Sequence, residues 1–173
     1  NTDWWVENFS ESYYTNLFFG PSGSTPPSFA TYIKEASDYD GASHGWAPTG
    51  TVVTWTQVTR NAAVYGNDLA TGGVDNDPSD GADVYQLVRD TVARLVAIGY
   101  TPPTGWTDYD KNGDNNIDYF VVVHAGKGQE AGGGTLGDNA IWSVQGTLTT
   151  SYPITGTIYS VKDFVVVAED SPV

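Results

Sequence analysis

The chain has 173 residues, enough for one domain or a piece of a larger one and too few for a long multidomain machine. Hydrophobic residues make up 39% and 20 positions are Gly, a globular composition that excludes intrinsic disorder. With 21 Asp+Glu against 7 Lys+Arg the net charge is −14, which repels nucleic acid and suits a protein facing cations.

Residues 4–19 are aromatic-rich and read as a strand followed by a short helix; Ser10 has Tyr13 three positions on, so no capping box marks the helix start. A Gly/Pro/Ser loop over 20–27 leads to Ser28, which is suited to cap a short amphipathic helix carrying Phe29, Tyr32, Ile33 and Ala36. Residues 51–59 alternate β-branched and polar types closely enough to predict a strand within an antiparallel hairpin over 41–66. After a polar loop over 71–83, the spacing of Val84, Leu87, Val88, Val92, Leu95 and Val96 predicts the clearest helix in the chain. Asp80 or Ser79 is its expected cap, and Gly99 with Pro102-Pro103 its stop. An acidic loop over 108–118 then enters a strand over 117–125 that reads as buried on both faces. Residues 126–138 form a Gly-rich loop, 140–144 and 159–168 read as strands, and the Thr/Gly stretch 146–157 separates them. Alternating elements of this kind predict an α/β fold, a mixed twisted sheet with packed helices.

Several chemistries are excluded by absent motifs. Cys is absent, which removes disulfides, thiolate zinc sites and a Cys nucleophile. The two histidines, His44 and His124, are far apart in sequence and neither is followed by Glu, so the helical His-Glu-x-x-His motif is missing. Neither a Gly-x-Ser-x-Gly elbow nor a phosphate-binding Gly-x-x-x-x-Gly-Lys-Ser/Thr loop occurs. His124 is expected to be a satisfied structural histidine at a strand end. No apolar run reaches the roughly 20 residues of a membrane span, so neither membrane nor nucleic acid is an expected partner. Met is absent even at position 1, so a leader or longer precursor is expected.

The strongest local signal is Asp110-Lys-Asn112-Gly-Asp114-Asn-Asn116-Ile-Asp118. Oxygen donors at alternate positions, a residue tolerant of left-handed backbone (Asn115) at the turn, and Ile117 anchoring the exit are what a hard cation with six to eight oxygen ligands requires. Calcium is the expected ion. Asp110, Asn112 and Asp114 would bind by side chain, Asn116 by its backbone carbonyl, and Asp118 directly or through water. A register starting at Asp108 puts Gly113 at the turn but misplaces the apolar anchor. Position twelve is Val121 rather than Glu, so a more distant oxygen must complete the shell; Glu130 and Asp138 are candidates.

The run from Asp110 to Asp118, then Tyr-Phe-Val-Val-Val-His124-Ala-Gly-Lys-Gly-Gln129-Glu130-Ala-Gly-Gly-Gly134 and Asp138-Asn-Ala-Ile-Trp142-Ser143, closely resembles secreted zinc metalloproteases of the immune inhibitor A family. Tyr14-x-x-Leu-Phe-Phe19, Tyr32, Gly45-Trp46 and Tyr65-Gly66 resemble the start of that family's catalytic domain, so the resemblance covers nearly the whole chain. It implies a zincin/metzincin-like N-terminal subdomain, with residues 1–173 forming the N-terminal portion of a single metallopeptidase catalytic domain. The family's zinc-binding helix follows the segment resembling 165–173, so zinc is implied with ligands outside this chain, either beyond residue 173 or on a separate cleaved chain. The implied partners are the C-terminal remainder of the same protease and a protein or peptide substrate, and the implied location is extracellular. A secreted calcium-stabilised module binding glycan or protein through surface aromatics is the alternative.

Overall fold

The computed structural model describes residues 10–21, 27–37, 45–67 and 83–170. The chain divides into two compact units, Glu7–Thr56 and a larger one of Asn1–Val6 with Gln57–Val173.

In the smaller unit, helix α1 (Glu11–Phe19) starts at Ser10, whose side chain accepts a hydrogen bond from Tyr13 N. Ser10 therefore caps the helix without a capping box, and the strand expected before it lies outside the described residues. Helix α2 (Phe29–Ser37) is capped as expected by Ser28, which accepts from Thr31 N and donates to the Gly20 carbonyl. Its buried face differs from the expected one: Ala30 and Thr31 are buried while Phe29 and Tyr32 are exposed. Small residues let the helix backbone come close, Phe29 reaches Phe18 of α1 edge-on at 6.4 Å, and Tyr32 stays largely exposed. The strand expected over 51–59 does not form; no regular element occurs over 45–61. Val52 and Val53 are both half-buried, so burial does not follow the period-two alternation that a sheet face imposes. Trp55 instead packs edge-on against Tyr14, ring centroids 5.8 Å apart.

The larger unit holds the main core. After the one-turn helix α3 (Ala62–Tyr65) comes α4 (Val84–Ala97), whose Val84, Leu87, Val88, Val92 and Leu95 are all buried. Its cap is Asp83, accepting from Gln86 N at 2.7 Å, rather than Asp80 or Ser79, which lie outside the described residues. Asp83 is the residue directly before the first helical position, where a carboxylate meets the second and third N–H groups. Gly99 ends the helix in left-handed backbone (φ 69°), with Tyr100 N bonded to the Leu95 carbonyl and Gly99 N to that of Val96. That pairing is the Schellman arrangement.

Asp90 ties α4 to the preceding segment. Its carboxylate accepts from Tyr65 Oη and Gln86 Nε2, each at 2.7 Å, and from Thr59 Oγ1 at 3.3 Å, with Arg60 Nε 3.6 Å away. Burial and the adjacent Asp90 carboxylate push the Tyr65 hydroxyl up to about 12, so it stays a donor. At the end of α3, Gly66 has room for nothing larger, because a Cβ there would stand 2.4 Å from the Ala140 backbone.

The sheet is mixed, with β4 (Ser160–Asp170) at its centre. Strands β1 (Asn116–Ile117) and β2 (Phe120–Lys127) both run parallel to β4, pairing Asn116 with Ser160 and Phe120 with Phe164. They form one strand interrupted at Asp118 and Tyr119. Strand β3 (Val144–Pro153) pairs antiparallel to β4, Val144 facing Val166 and Pro153 facing Ser160, with a register shift between Thr147 and Tyr152. Two expectations are corrected here. Residues 140–143 are loop, and β3 occupies the Thr-rich stretch expected to separate strands. Leu148 is wholly buried within it, while the β-branched Thr147, Thr149 and Thr150 are exposed. Strand β2 is not buried on both faces; Val122 and His124 point into the core while Val121 is 41% exposed. The core of α4 packs with Val122, Leu148, Val161, Phe164 and Val166, and Tyr85 meets Phe164 edge-on at 5.3 Å.

Candidate functional site

The acidic loop folds around Asp110. One oxygen of its carboxylate accepts from Gly113 N at 2.8 Å and Asp114 N at 3.1 Å, and the other from Asn115 N at 2.9 Å. Asn112 Oδ1 accepts from Asp114 N (2.9 Å), and Asp114 Oδ1 from Asn116 N (2.8 Å). That Asn116 N–H is the largest of the causes that hold the Asp114 carboxyl below its ordinary range. Asp118 Oδ2 accepts from Lys111 N at 2.7 Å, closing the loop. Asn115 has φ 62°, alone among the described non-glycine residues in left-handed backbone, at the position where the sequence pattern requires the turn. Asp108 stands apart from this network and faces Lys111 Nζ at 3.8 Å on the surface. The hub is therefore the first residue of the preferred register. Among the described residues, no group of three or more His, Cys, Asp or Glu side chains is arranged to hold a metal ion.

A second polar cluster lies at the end of β2. Glu130, a candidate for the distant calcium oxygen, is engaged elsewhere: Ser143 donates to it through both Oγ and N. Ser143 Oγ also accepts from Ala168 N at 3.2 Å, joining the Gly-rich loop to β4. On the other side of β4, Glu169 Oε2 accepts from Gly126 N at 3.1 Å. Asp138, the other candidate, is exposed. Within the loop, Gly133 has φ 65°, and a Cβ there would collide with the Gly137 carbonyl. The sequence held no local signal for these ties, since they join residues 13 to 43 positions apart.

His124 is buried in β2 at 8% exposure, and His44 lies outside the described residues. The expectation of a satisfied histidine holds for one nitrogen only: Nδ1 is 3.2 Å from the Ala125 carbonyl, while Nε2 has no hydrogen-bond partner among the described residues. The alternation of β2 turns the ring inward, onto the buried face of the strand. Burial lowers the ring's pKa below 6.5, outweighing the pull of the Ala125 carbonyl, the Glu130 carboxylate and the Ile141 carbonyl. The unfolded chain then binds a proton more readily than the folded one, so stability is full above about pH 6.5 and falls as pH drops toward the folded value. Thermal melts of His124→Gln between roughly pH 7 and pH 5 are expected to lose part of the wild-type acid slope. An unchanged slope would remove His124 from the acid response.

Comparison with known proteins decides the family. The model of the immune inhibitor A peptidase M6 catalytic domain matches residues 1–170. The chain belongs to the immune inhibitor A (M6) peptidase family. It is 37% identical over 157 residues to "Immune inhibitor A" of Bacillus thuringiensis subsp. alesti, covering 82% of this chain and 22% of that protein. It is 31% identical over 168 residues to the "Pre-pro-metalloprotease PrtV" of Vibrio cholerae serotype O1 (strain M66-2), covering 91% of this chain and 18% of that protein. The chain thus spans less than a quarter of the length of these curated relatives. A metalloprotease family implies zinc. The described residues do not fit a zinc site, because they offer no three-ligand group and their one histidine, His124, keeps Nδ1 on a backbone carbonyl. No helix among them is long and apolar enough to cross a membrane.

Proposed function

We propose that residues 1–173 are the N-terminal portion of the catalytic domain of a secreted zinc endopeptidase. In this reading they supply the sheet and a calcium-stabilised scaffold beside the substrate cleft. The zinc ligands and the general base then belong to a segment outside these residues, and the working enzyme needs that remainder as its partner. The observation that carries the reading is the family match over residues 1–170, in a sequence with two histidines and no His-Glu-x-x-His. The acidic balance of the chain and its lack of cysteine agree with an extracellular setting rich in calcium.

Calcium fits the chemistry of the 110–118 loop. Asp110, Asn112 and Asp114 offer hard side-chain oxygens, Asn116 a backbone carbonyl, and Asp118 an oxygen for direct or water-mediated contact. The left-handed turn at Asn115 and the N–H groups gathered on Asp110 support this assignment.

Substrate binding is assigned to the 126–143 region and the neighbouring edge of the sheet. Strand β3 pairs with β4 alone among the described residues, which leaves its other edge for an extended peptide. Deleting residues 132–134 in the whole protease is expected to raise KM roughly tenfold, about 1.4 kcal/mol of binding, with kcat little changed. Unaltered steady-state kinetics on a peptide substrate would contradict this placement. The reading as a whole is tested by hydrolysis of a protein substrate by the whole protein, which zinc chelation should abolish. Activity that survives complete zinc removal would overturn it.

A binding module is the second reading, favoured by the exposed Tyr13, Phe29, Tyr32 and Trp46 of the smaller unit. Retention of a glycan by a chain that never acquires zinc would select it.

A further inference from the structure

We propose that Asn112 is a site of spontaneous chemical modification, in which the 110–118 loop drives its own deamidation. Asn112-Gly113 is the sole Asn-Gly pair in the sequence, and both residues are exposed. A glycine after asparagine leaves its backbone nitrogen free of side-chain hindrance. The loop adds two features that act on the reacting atoms themselves. The nucleophile, Gly113 N, holds its N–H on the Asp110 carboxylate at 2.8 Å, which places a base on the proton that must leave. The electrophile is Asn112 Cγ, whose Oδ1 accepts from Asp114 N at 2.9 Å, a donor placed where negative charge develops when the carbonyl is attacked.

The reaction balances without a cofactor. The Gly113 amide proton passes to the Asp110 carboxylate that holds it and from there to solvent, as a bond forms between Gly113 N and Asn112 Cγ. The oxyanion on Oδ1, held by the Asp114 N–H, collapses and breaks the Cγ–Nδ2 bond; the nitrogen takes a proton and departs as ammonia. Water then opens the succinimide at either carbonyl to give aspartate or isoaspartate. Aspartate adds a third carboxylate beside Asp110 and Asp114. Isoaspartate places an extra carbon in the backbone between residues 112 and 113, displacing Asp114 and Asn115 from the positions that define the loop. A cation held by Asn112 Oδ1 and Asp110 keeps the side chain from turning onto Gly113 N, so modification is faster in the metal-free loop. That last step rests on the calcium reading above; the modification itself does not.

The test incubates the whole purified protein at neutral pH, with EDTA or with saturating calcium, and maps tryptic peptides by mass over time. In EDTA the peptide containing Asn112 is expected to lose ammonia and then gain an acid, before any other asparagine changes and with isoaspartate among the products. Asn112→Gln, which keeps the amide but disfavours ring closure, is expected to abolish the change at that site. Another asparagine converting first, or an intact Asn112 after the others have reacted, overturns the proposal. Conversion of Asn112 at one rate in EDTA and in calcium sustains the modification and contradicts the calcium assignment.

Discussion

Replacing Phe164 with Ala is expected to remove about 3–5 kcal/mol of stability, a large share of the roughly 5–15 kcal/mol that holds a typical domain folded. Phe164 lies on β4, the strand to which β1, β2 and β3 all pair, and is 2% exposed. Its ring meets Tyr85 of α4 edge-on and lies over Gly146 of β3, where an added Cβ would stand 2.6 Å from it. One side chain therefore joins helix and sheet, and its loss leaves a cavity in the core that it shares with Val88 and Val166. Urea denaturation at constant m-value measures the effect. A loss below about 1 kcal/mol would mean that the α4–sheet contact is not the main source of stability in the larger unit.

Calcium is expected to give the other large shift. At about 100 times its dissociation constant it should stabilise the fold by roughly 2.7 kcal/mol, and each kcal/mol raises Tm by about 2–4 °C in a chain of this size. Asp110→Asn keeps one side-chain oxygen to accept from Gly113 N and Asp114 N but removes the charge that a divalent cation needs. Its amide nitrogen cannot accept from Asn115 N, so the variant should melt somewhat below the wild type in EDTA and lose most of the calcium-dependent rise. Acid should have the same effect on the wild type. Asp114, whose carboxyl is held below its ordinary range by the Asn116 N–H, keeps its charge above that range and loses it only as pH falls through its lowered value. Equal calcium-dependent shifts in wild type and Asp110→Asn would remove the loop as the binding site.

What was legible in the sequence divides by the range of the interactions involved. Helix α4 was legible because its buried Val84, Leu87, Val88, Val92 and Leu95 recur with the period of the helix itself, and Gly99 marks its end by a local backbone requirement. The Asp110 network was legible for the same reason: donors and acceptors lie within eight positions of one another, so their spacing together with the Ile117 anchor places the turn at Asn115. Strand β3 was hidden because its threonines carry β propensity without apolarity, and only Leu148 among its residues is wholly buried. Residues 51–59 have the opposite character, a strand-like alternation that no sheet partner among the described residues takes up. The ties from Ser143 to Glu130 and Ala168, and the burial of His124, arise only when β2, β3 and β4 come together. No window along the chain contains them.

The most direct test of the central claim is a native mass spectrum, with metal analysis, of the 173-residue chain beside the whole protease. The predicted result is calcium without zinc on the chain alone, zinc on the whole protein, and peptide hydrolysis by the whole protein only. Stoichiometric zinc and hydrolysis on the chain alone would contradict it, because the metal ligands would then have to lie within these residues.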